Sequence, residues 1–204
     1  MELRPASVDD IGELATLVVG DPAQASTVAA MRLFAIDRVD DALELNRVMI
    51  SSTESWRSTT VADLDGAVGG MVQVGDASMA FTPEVVDLAH RLYGPDFQAV
   101  LGPRLTAQAR VQASYPSGCL RVSEIHVRPE YRGDGIGAAL ISQIAAFAAT
   151  EGFTSLGLQT LTTNPARATF EAWGFHVVAT TTDPEFESLT GASGYHTMQR
   201  DLDS

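Results

Sequence analysis

A run of glycines between a strand and a helix is the feature of this sequence best suited to bind an anion. A strand is predicted over 120–128 and an apolar helix over 136–149. Three glycines stand at alternate positions where these elements join: Gly133, Gly135 and Gly137. Glycines leave backbone N–H groups accessible, and a helix N-terminus adds donors and partial positive charge. The pattern predicts a phosphate or pyrophosphate site, with Arg128 and Arg132 as nearby cations.

The glycine spacing also matches a loose form of the dinucleotide-binding fingerprint, Gly133-x-Gly135-x-x-Ala138. That site requires glycine directly after the strand and an acidic residue at the end of the next strand. Here residues 129–132 intervene, and the next predicted strand, 155–161, is followed by two threonines. A dinucleotide site is therefore rejected.

In the strand before the glycines, the apolar residues change from even-numbered to odd-numbered positions. Leu120 and Val122 share one parity, whereas Ile125 and Val127 share the other. Side chains alternate strictly along a strand, so the switch indicates a β-bulge near Ser123-Glu124. The alternative is a central strand buried on both faces, which needs no alternation.

The composition excludes several classes of site. The 204 residues carry 26 acidic and 13 basic side chains, a net charge of −13, and every basic residue is arginine. Without lysine there is no P-loop nucleotide site and no lysine Schiff base. The acidic balance argues against binding nucleic acid. Cys119 is the only cysteine, which excludes an intramolecular disulfide and a cysteine zinc cluster.

No targeting or membrane segment is predicted. The first ten residues are acidic and lack an apolar core, unlike a secretory signal. The most apolar stretch, 136–149, is shorter than the roughly 20 residues that cross a bilayer. We therefore expect a cytoplasmic protein without membrane contact.

The elements alternate in a way that predicts one α/β or α+β domain over residues 1–204. A strand at 2–6 precedes a helix capped by Ser7, and a helical region at 25–50 is expected to break near 37–40. Asp65-Gly66 between two apolar stretches predicts a tight hairpin.

Residues 76–118 are interpreted as a helical insertion between the third and fourth strands. Helices are expected at 85–93 and 96–114, the second interrupted by Gly102-Pro103. Two interpretations stay open: a helical hairpin covering a sheet edge, or a lid that shapes a substrate pocket. For an amine the insertion offers aromatic and acidic side chains: Tyr93, Phe97, Tyr115, Asp87 and Asp96.

From Cys119 onward the sequence closely resembles the GNAT acetyltransferase superfamily. The family signature is a strand, a Val-x-Pro step and Arg/Gln-x-x-Gly-x-Gly/Ala leading into a helix. Here Val127-x-Pro129 precedes Arg132-x-x-Gly135-x-Gly137, and the later elements also match, over about 119–202. The resemblance implies a mixed, mostly antiparallel twisted sheet flanked by helices.

The resemblance also implies where acetyl-CoA binds. The backbone of 125–127 would pair with the pantetheine arm, the loop 133–138 would hold the pyrophosphate, and the acyl group would lie where strands 120–128 and 155–161 splay apart. No metal is implied. The cofactor-binding residues expected on this basis are Ile125, His126, Val127, Arg132, Gly133, Asp134, Gly135, Ile136, Gly137, Ala138, Asn164 and Phe170.

The implied reaction is attack of a neutral amine on the thioester, which needs a base for the ammonium proton. Glu124 is the candidate base because it lies on the strand beside the acyl site; its alternative is a solvated or salt-bridged carboxylate. His126 is a second candidate, since histidine exchanges protons near neutral pH, and its alternative is packing against a neighbour.

Two positions depart from the family pattern. Where many members carry a tyrosine general acid, four residues before Gly174, this chain has Phe170. The expected asparagine position is Thr163, with Asn164 displaced by one. A thiol with a pKa near ~8.5 can leave without an acid, so catalysis is not excluded. Tyr131 or Tyr195 could substitute if the fold brings them close.

The sequence therefore predicts an acetyl-CoA-dependent N-acetyltransferase acting on an amine of a small molecule, peptide or protein, and allows a homodimer. The departures at Phe170 and Asn164 keep an alternative open, a non-catalytic acyl-CoA-binding or regulatory module.

Overall fold

The computed structural model describes residues 1–21, 24–75 and 81–202. Seven strands form one sheet in the order β1-β2-β3-β4-β5-β7-β6. Their bounds are β1 Glu2–Pro5, β2 Thr59–Leu64, β3 Ala67–Val74, β4 Cys119–Val127, β5 Ser155–Leu161, β6 His176–Thr182 and β7 Gly194–Asp201. Among the strands described, only the β4–β5 pair is parallel, which confirms the predicted mixed, mostly antiparallel sheet.

Helices cover both faces of the sheet. They are α1 Ile11–Val19, α2 Ala25–Leu33, α3 Val39–Ser52, α4 Pro83–Tyr93, α5 Phe97–Val111, α6 Ile136–Thr150, α7 Arg167–Ala172 and α8 Pro184–Thr190. In the parts of the chain described, no helix is long and apolar enough to span a membrane.

The β2–β3 hairpin turns at the predicted Asp65-Gly66. Both residues have positive φ, 55° and 93°, as the tight turn requires. The carboxylate of Asp63 accepts a hydrogen bond of 2.7 Å from the Gly66 amide. The predicted tight turn at Asp65-Gly66 is confirmed.

Different helices pack on the two faces of the sheet. On one face α6 packs on the central strands, with Leu140, Val122, Leu156 and Met198 buried together. On the opposite face α1 covers β2 and β3, while α2, α5 and α8 cover the end of β5. The C-terminal ends of β4 and β5 therefore lie between these two layers of helices.

The insertion packs on the sheet near the end of β5, and its second helix, α5, also contacts the edge strand β6, as expected for a cover over a sheet edge. Ala107 and Val111 of α5 are fully buried with Leu161 of β5 and Phe186 of α8. Helix α5 also continues through Pro103, against the predicted interruption, because its buried apolar side chains offset the lost hydrogen bond. The first residues of the predicted insertion, 76–80, lie outside the described ranges.

One further boundary differs from the prediction, and one helix was not predicted. The break between α2 and α3 falls at 34–38, slightly earlier than expected. Helix α8 was missed, although Asp183 caps it through its side chain and Pro184 occupies its first position, which is a common helix-start pattern.

Candidate active site

The parallel strands β4 and β5 pair over only three residues and then separate. The pairs are Cys119 with Ser155, Leu120 with Leu156, and Arg121 with Gly157. Beyond Arg121, β4 pairs with β3 alone, so its other edge has no partner on β5. The splay predicted between these strands is present, and it leaves backbone groups free to pair with an extended ligand.

A β-bulge lies in β4 at the predicted place. Gln73 of β3 pairs with Glu124, and the next residue, Val74, pairs with Val122, so Ser123 is the extra residue. Val122 and Ile125 both contact the core beneath α6. The bulge thereby keeps the apolar side chains on that face and turns Glu124 to the opposite face.

Glu124 and His126 lie together at the splay. The Nε2 atom of His126 is 2.7 Å from Oε2 of Glu124, and their side chains are 29% and 36% exposed, respectively. Both remain accessible to a substrate while holding each other in place. The pair can therefore accept a proton from a bound molecule and share it between them.

Tyr195 of β7 neighbours this pair. The pKa of its phenol is raised to about 12, mainly by burial and also by the charge of Glu124, while the charge of Arg121 lowers it. The hydroxyl therefore stays protonated at neutral pH, within the electrostatic influence of both charged groups. Tyr131 instead packs against the core on the α6 face.

The glycine loop has the conformation of an anion cradle. Gly133 and Gly135 have φ of 94° and 82°, and no atom lies within 4 Å of where a Cβ would stand on either. The first N–H of α6 to donate back to the loop belongs to Ala139, which donates to the Gly135 carbonyl at 3.0 Å. The amides of residues 136–138 precede it and are free donors of a 15-residue helix.

The two arginines expected beside the cradle have different roles. Arg132 is exposed, and its Nε donates to the Val127 carbonyl at 3.2 Å, which holds it near the loop. The Arg128 guanidinium is instead engaged with α1 and β3, and Glu13 neutralises its charge. It pairs with Glu13 of α1 at 2.8 Å and donates to the Val68 carbonyl at 2.7 Å, and this pair ties α1 to the end of β4.

Gly137, at the start of α6, also allows α6 and Trp173 to pack closely. It is buried, and an added Cβ would lie 2.5 Å from an indole carbon of Trp173. The indole of Trp173 thereby holds α7 close to the start of α6. Ile136 is also buried, whereas Asp134 is exposed beside the glycines.

Asn164 and Phe170 have structural partners on and before α7. The Asn164 side-chain oxygen accepts a hydrogen bond of 3.0 Å from the Ala166 amide, which shapes the turn into the helix. Phe170 is 8% exposed and packs edge-to-face on Trp173 and Phe175. These contacts are all within the protein and do not indicate a role in ligand binding.

Only one of the insertion's three aromatic candidates lies beside β4 and β5. Tyr93 donates its hydroxyl to the Phe34 carbonyl at 2.6 Å, and Phe97 is buried against His90. Both pack the insertion onto the rest of the molecule. Asp87 and Asp96 are exposed on its outer surface.

Tyr115, which follows α5, crosses the paired ends of β4 and β5. An added Cβ on Gly157 would lie 2.5 Å from its ring, and the guanidinium carbon of Arg121 is 5.6 Å from the ring centroid. The contact between Arg121 and Tyr115 was not predicted from the sequence. The available signal was Gly157, because a glycine inside an apolar central strand often marks a close approach.

No cluster of His, Cys, Asp and Glu suited to a metal occurs among the described residues. Burial raises the pKa of the Cys119 thiol, which disfavours the nucleophilic thiolate. The site therefore consists of an open strand edge, a glycine cradle and a carboxylate–histidine pair.

Comparisons with solved structures show the same fold in acetyltransferases. An N-acetyltransferase from Staphylococcus aureus Mu50 aligns with a TM-score of 0.63 at 14% identity, over 98% of this chain and 100% of that chain. Another acetyltransferase aligns with a TM-score of 0.60 at 20% identity, over 100% of both chains. The PaiA N-acetyltransferase from Thermoplasma acidophilum, in complex with coenzyme A, aligns at 0.55 and 13% identity, over 98% of both chains.

A search of curated proteins finds no match. The profile of the Acetyltransferase (GNAT) family matches residues 56–175, which include the β2–β3 hairpin, β4, the glycine cradle, α6 and β5. This segment is more than half of the 204 residues. The chain belongs to the GNAT acetyltransferase family.

Proposed function

We propose that this protein is an acetyl-CoA-dependent N-acetyltransferase that acts by direct transfer in a ternary complex. The observation that carries the proposal is the position of Glu124 and His126 on β4, whose unpaired edge leads directly into the glycine cradle. An extended acyl-CoA needs such an edge for its pantetheine arm and such a cradle for its pyrophosphate.

The residues present fit that co-substrate. The backbone of Ile125, His126 and Val127 would bind the pantetheine arm, and the amides of 133–138 would bind the pyrophosphate, with Arg132 adding positive charge. Bound acetyl-CoA supplies a thioester that a neutral amine can attack. Asn164 and Phe170 stay weaker candidates for cofactor contact.

Glu124 acts as the base in this proposal. Its carboxylate takes the proton of the incoming ammonium group, directly or through one water, so that the nitrogen lone pair is free. His126, 2.7 Å away, orients the carboxylate and shares the proton. Tyr195 keeps its own proton at neutral pH and is the neighbouring phenol able to donate to the departing sulfur.

We also propose that the whole chain acts as one domain, supported by the single sheet that contains strands from both ends of the chain. A cytoplasmic location is proposed on the sequence, whose lone cysteine needs no oxidising compartment. The acceptor is an amine, on a small molecule, a peptide or a protein.

The competing function is a non-catalytic acyl-CoA-binding module, which the loss of a tyrosine at Phe170 favours. A thiol-release assay with acetyl-CoA and a broad panel of primary amines separates the two. The proposal expects release of CoA that depends on the amine, together with thermal stabilisation by acetyl-CoA. Stabilisation without release by any amine would instead support the binding module.

A further inference from the structure

Arg121 differs from most arginines of this chain because its partly buried guanidinium has no carboxylate partner. Seven others form ion pairs with Asp or Glu side chains. Arg121 has no such pair among the residues that the structure describes, and its Nε is buried without a hydrogen-bond acceptor. Buried donors are nearly always satisfied, so a ligand that supplies the acceptor would account for this one.

A second unsatisfied group lies beside it. The Tyr115 hydroxyl is also buried without a partner, and its phenol pKa is raised to about 12 by burial, so it keeps its proton. The ring is fixed between Gly157 and the Arg121 guanidinium. Two hydrogen-bond donors of adjacent side chains thus lack acceptors at one place.

Both side chains line one depression of about 380 Å³, together with Gly75, Ser114 and Cys119. Arg121 precedes Glu124 by three positions on β4, and both charges act on Tyr195. At about 3.3 Å per strand residue, their backbones are separated by roughly 10 Å or less, since the bulge shortens the path. A molecule of several bonds could therefore reach both side chains.

The chemistry of the depression suits a carboxylate. A guanidinium binds a carboxylate through two parallel hydrogen bonds, and a phenol can donate a third. The chain has a net charge of −13, so an anion needs a local positive group to approach. We propose that Arg121 and Tyr115 bind the carboxylate of an acceptor whose amine, at its other end, reaches Glu124; this rests on the acetyltransferase function proposed above.

The test is calorimetric titration of matched ligand pairs, with and without saturating CoA. The carboxylates are β-alanine, γ-aminobutyrate and ε-aminocaproate, and their partners without the carboxylate are ethylamine, propylamine and pentylamine. For the parent protein we expect at least one carboxylate to bind about tenfold or more tightly than its matched amine, because charge-assisted hydrogen bonds are strong.

Three variants and one control test which side chains produce that preference. Arg121→Gln should reduce carboxylate binding to the level of the matched amine, and Tyr115→Phe should weaken it several-fold, both without changing the dissociation constant of acetyl-CoA. Arg121→Lys, which keeps the charge but loses the two-pronged geometry, should retain part of the preference. Arg91→Gln, on the exposed face of α4, is the matched control and should change nothing.

The outcomes separate the two proposals. The carboxylate subsite is overturned if the parent protein shows no carboxylate preference, or if folded Arg121→Gln and Tyr115→Phe keep it in full. The acetyltransferase proposal depends on a different result, which is acetyl-CoA binding and amine-dependent thiol release. A carboxylate preference that persists in a protein unable to bind acetyl-CoA would support the subsite and reject the activity.

Discussion

Glu124 is held at the splay by the bulge and by its contact with His126, and its proposed role is removal of a proton from the acceptor. Replacing it by glutamine keeps the shape but removes the basic oxygen. We expect Glu124→Gln to lower turnover by about 10²–10⁴-fold with acetyl-CoA affinity unchanged, because the loss affects proton transfer alone. Steady-state kinetics across pH, with calorimetry of acetyl-CoA binding, measures both quantities.

The matched control is Glu151→Gln, an exposed carboxylate just beyond α6. It should leave turnover unchanged. Normal turnover of Glu124→Gln would move the proton transfer to His126 or to bulk water.

Gly137 is tested by a double-mutant cycle with Trp173, since an added Cβ would lie 2.5 Å from the indole. Gly137→Ala should destabilise the protein by about 1–3 kcal/mol, the usual range for overpacking. In a Trp173→Ala background the same change should be neutral or stabilising by up to ~1 kcal/mol, because alanine is the better helix former.

Urea denaturation of the four proteins gives the coupling energy. Gly12→Ala in α1, where no atom lies within 4 Å of the added Cβ, is the control and should not destabilise. Equal destabilisation by Gly137→Ala in both backgrounds would show that Trp173 is not the obstacle.

Sequence reasoning located the residues whose role follows from local pattern and missed those that depend on long-range contact. The parity switch predicted the bulge beside Glu124, and the glycines predicted the loop. Arg121 gave no local signal, because its importance comes from Tyr115 and Gly157, which are distant in the chain. For the same reason the ion pair of Arg128 could not be predicted, because its partner Glu13 lies 115 residues away in the chain.

At the scale of elements, the edge strand β1 is joined to its neighbours by Arg4. The guanidinium contacts Asp10 before α1 and Asp63 of β2, each at 2.8 Å. The hydrogen bond from Arg4, with those from Ser7, lowers the pKa of Asp10 to about 2 despite its burial. This network fixes β1 against both α1 and the sheet.

A carboxylate whose pKa is lower in the folded state stabilises the protein above its unfolded pKa, and that contribution disappears as pH falls through the folded pKa. Asp10→Asn should therefore cost about 2 kcal/mol of unfolding free energy at pH 7, from a shift of almost two pKa units. The cost should fall to about half near pH 3.

Urea denaturation at both pH values checks this prediction. Asp9→Asn, at the exposed neighbouring position, is the control and should change stability by only a few tenths of a kcal/mol. A cost for Asp10→Asn that is equal at pH 7 and pH 3 would show that the ionised carboxylate does not supply the stability.

Most elements could be predicted because their signals are local. Alternating apolar residues and the Asp65-Gly66 turn predicted the β2–β3 hairpin. Helix caps predicted α4 and α6, with bounds that agree with the structure nearly to the ends of both helices. Helix α5 passed through Pro103 because tertiary burial outweighed a local penalty. The packing of α5 against the end of β5, the edge strand β6 and α8 depends on long-range contacts that no local pattern shows.

At the scale of the whole molecule, we propose that a single acyl-CoA extends from the splay of β4 and β5 to the N-terminus of α6. The α6 side of the sheet would hold the co-substrate, and the opposite face, with Glu124, Tyr195 and Tyr115, would receive the acceptor. The two substrates would thus meet through the opening between the parallel strands β4 and β5, whose pairing stops after Arg121.

Hydrogen–deuterium exchange with and without saturating acetyl-CoA tests this claim most directly. We expect exchange to slow by about tenfold or more in peptides covering residues 122–139, where strand-edge and cradle amides would gain acceptors, with no change in β1 or β2. Binding of acetyl-CoA that protects other segments and leaves 122–139 unchanged would contradict this binding mode.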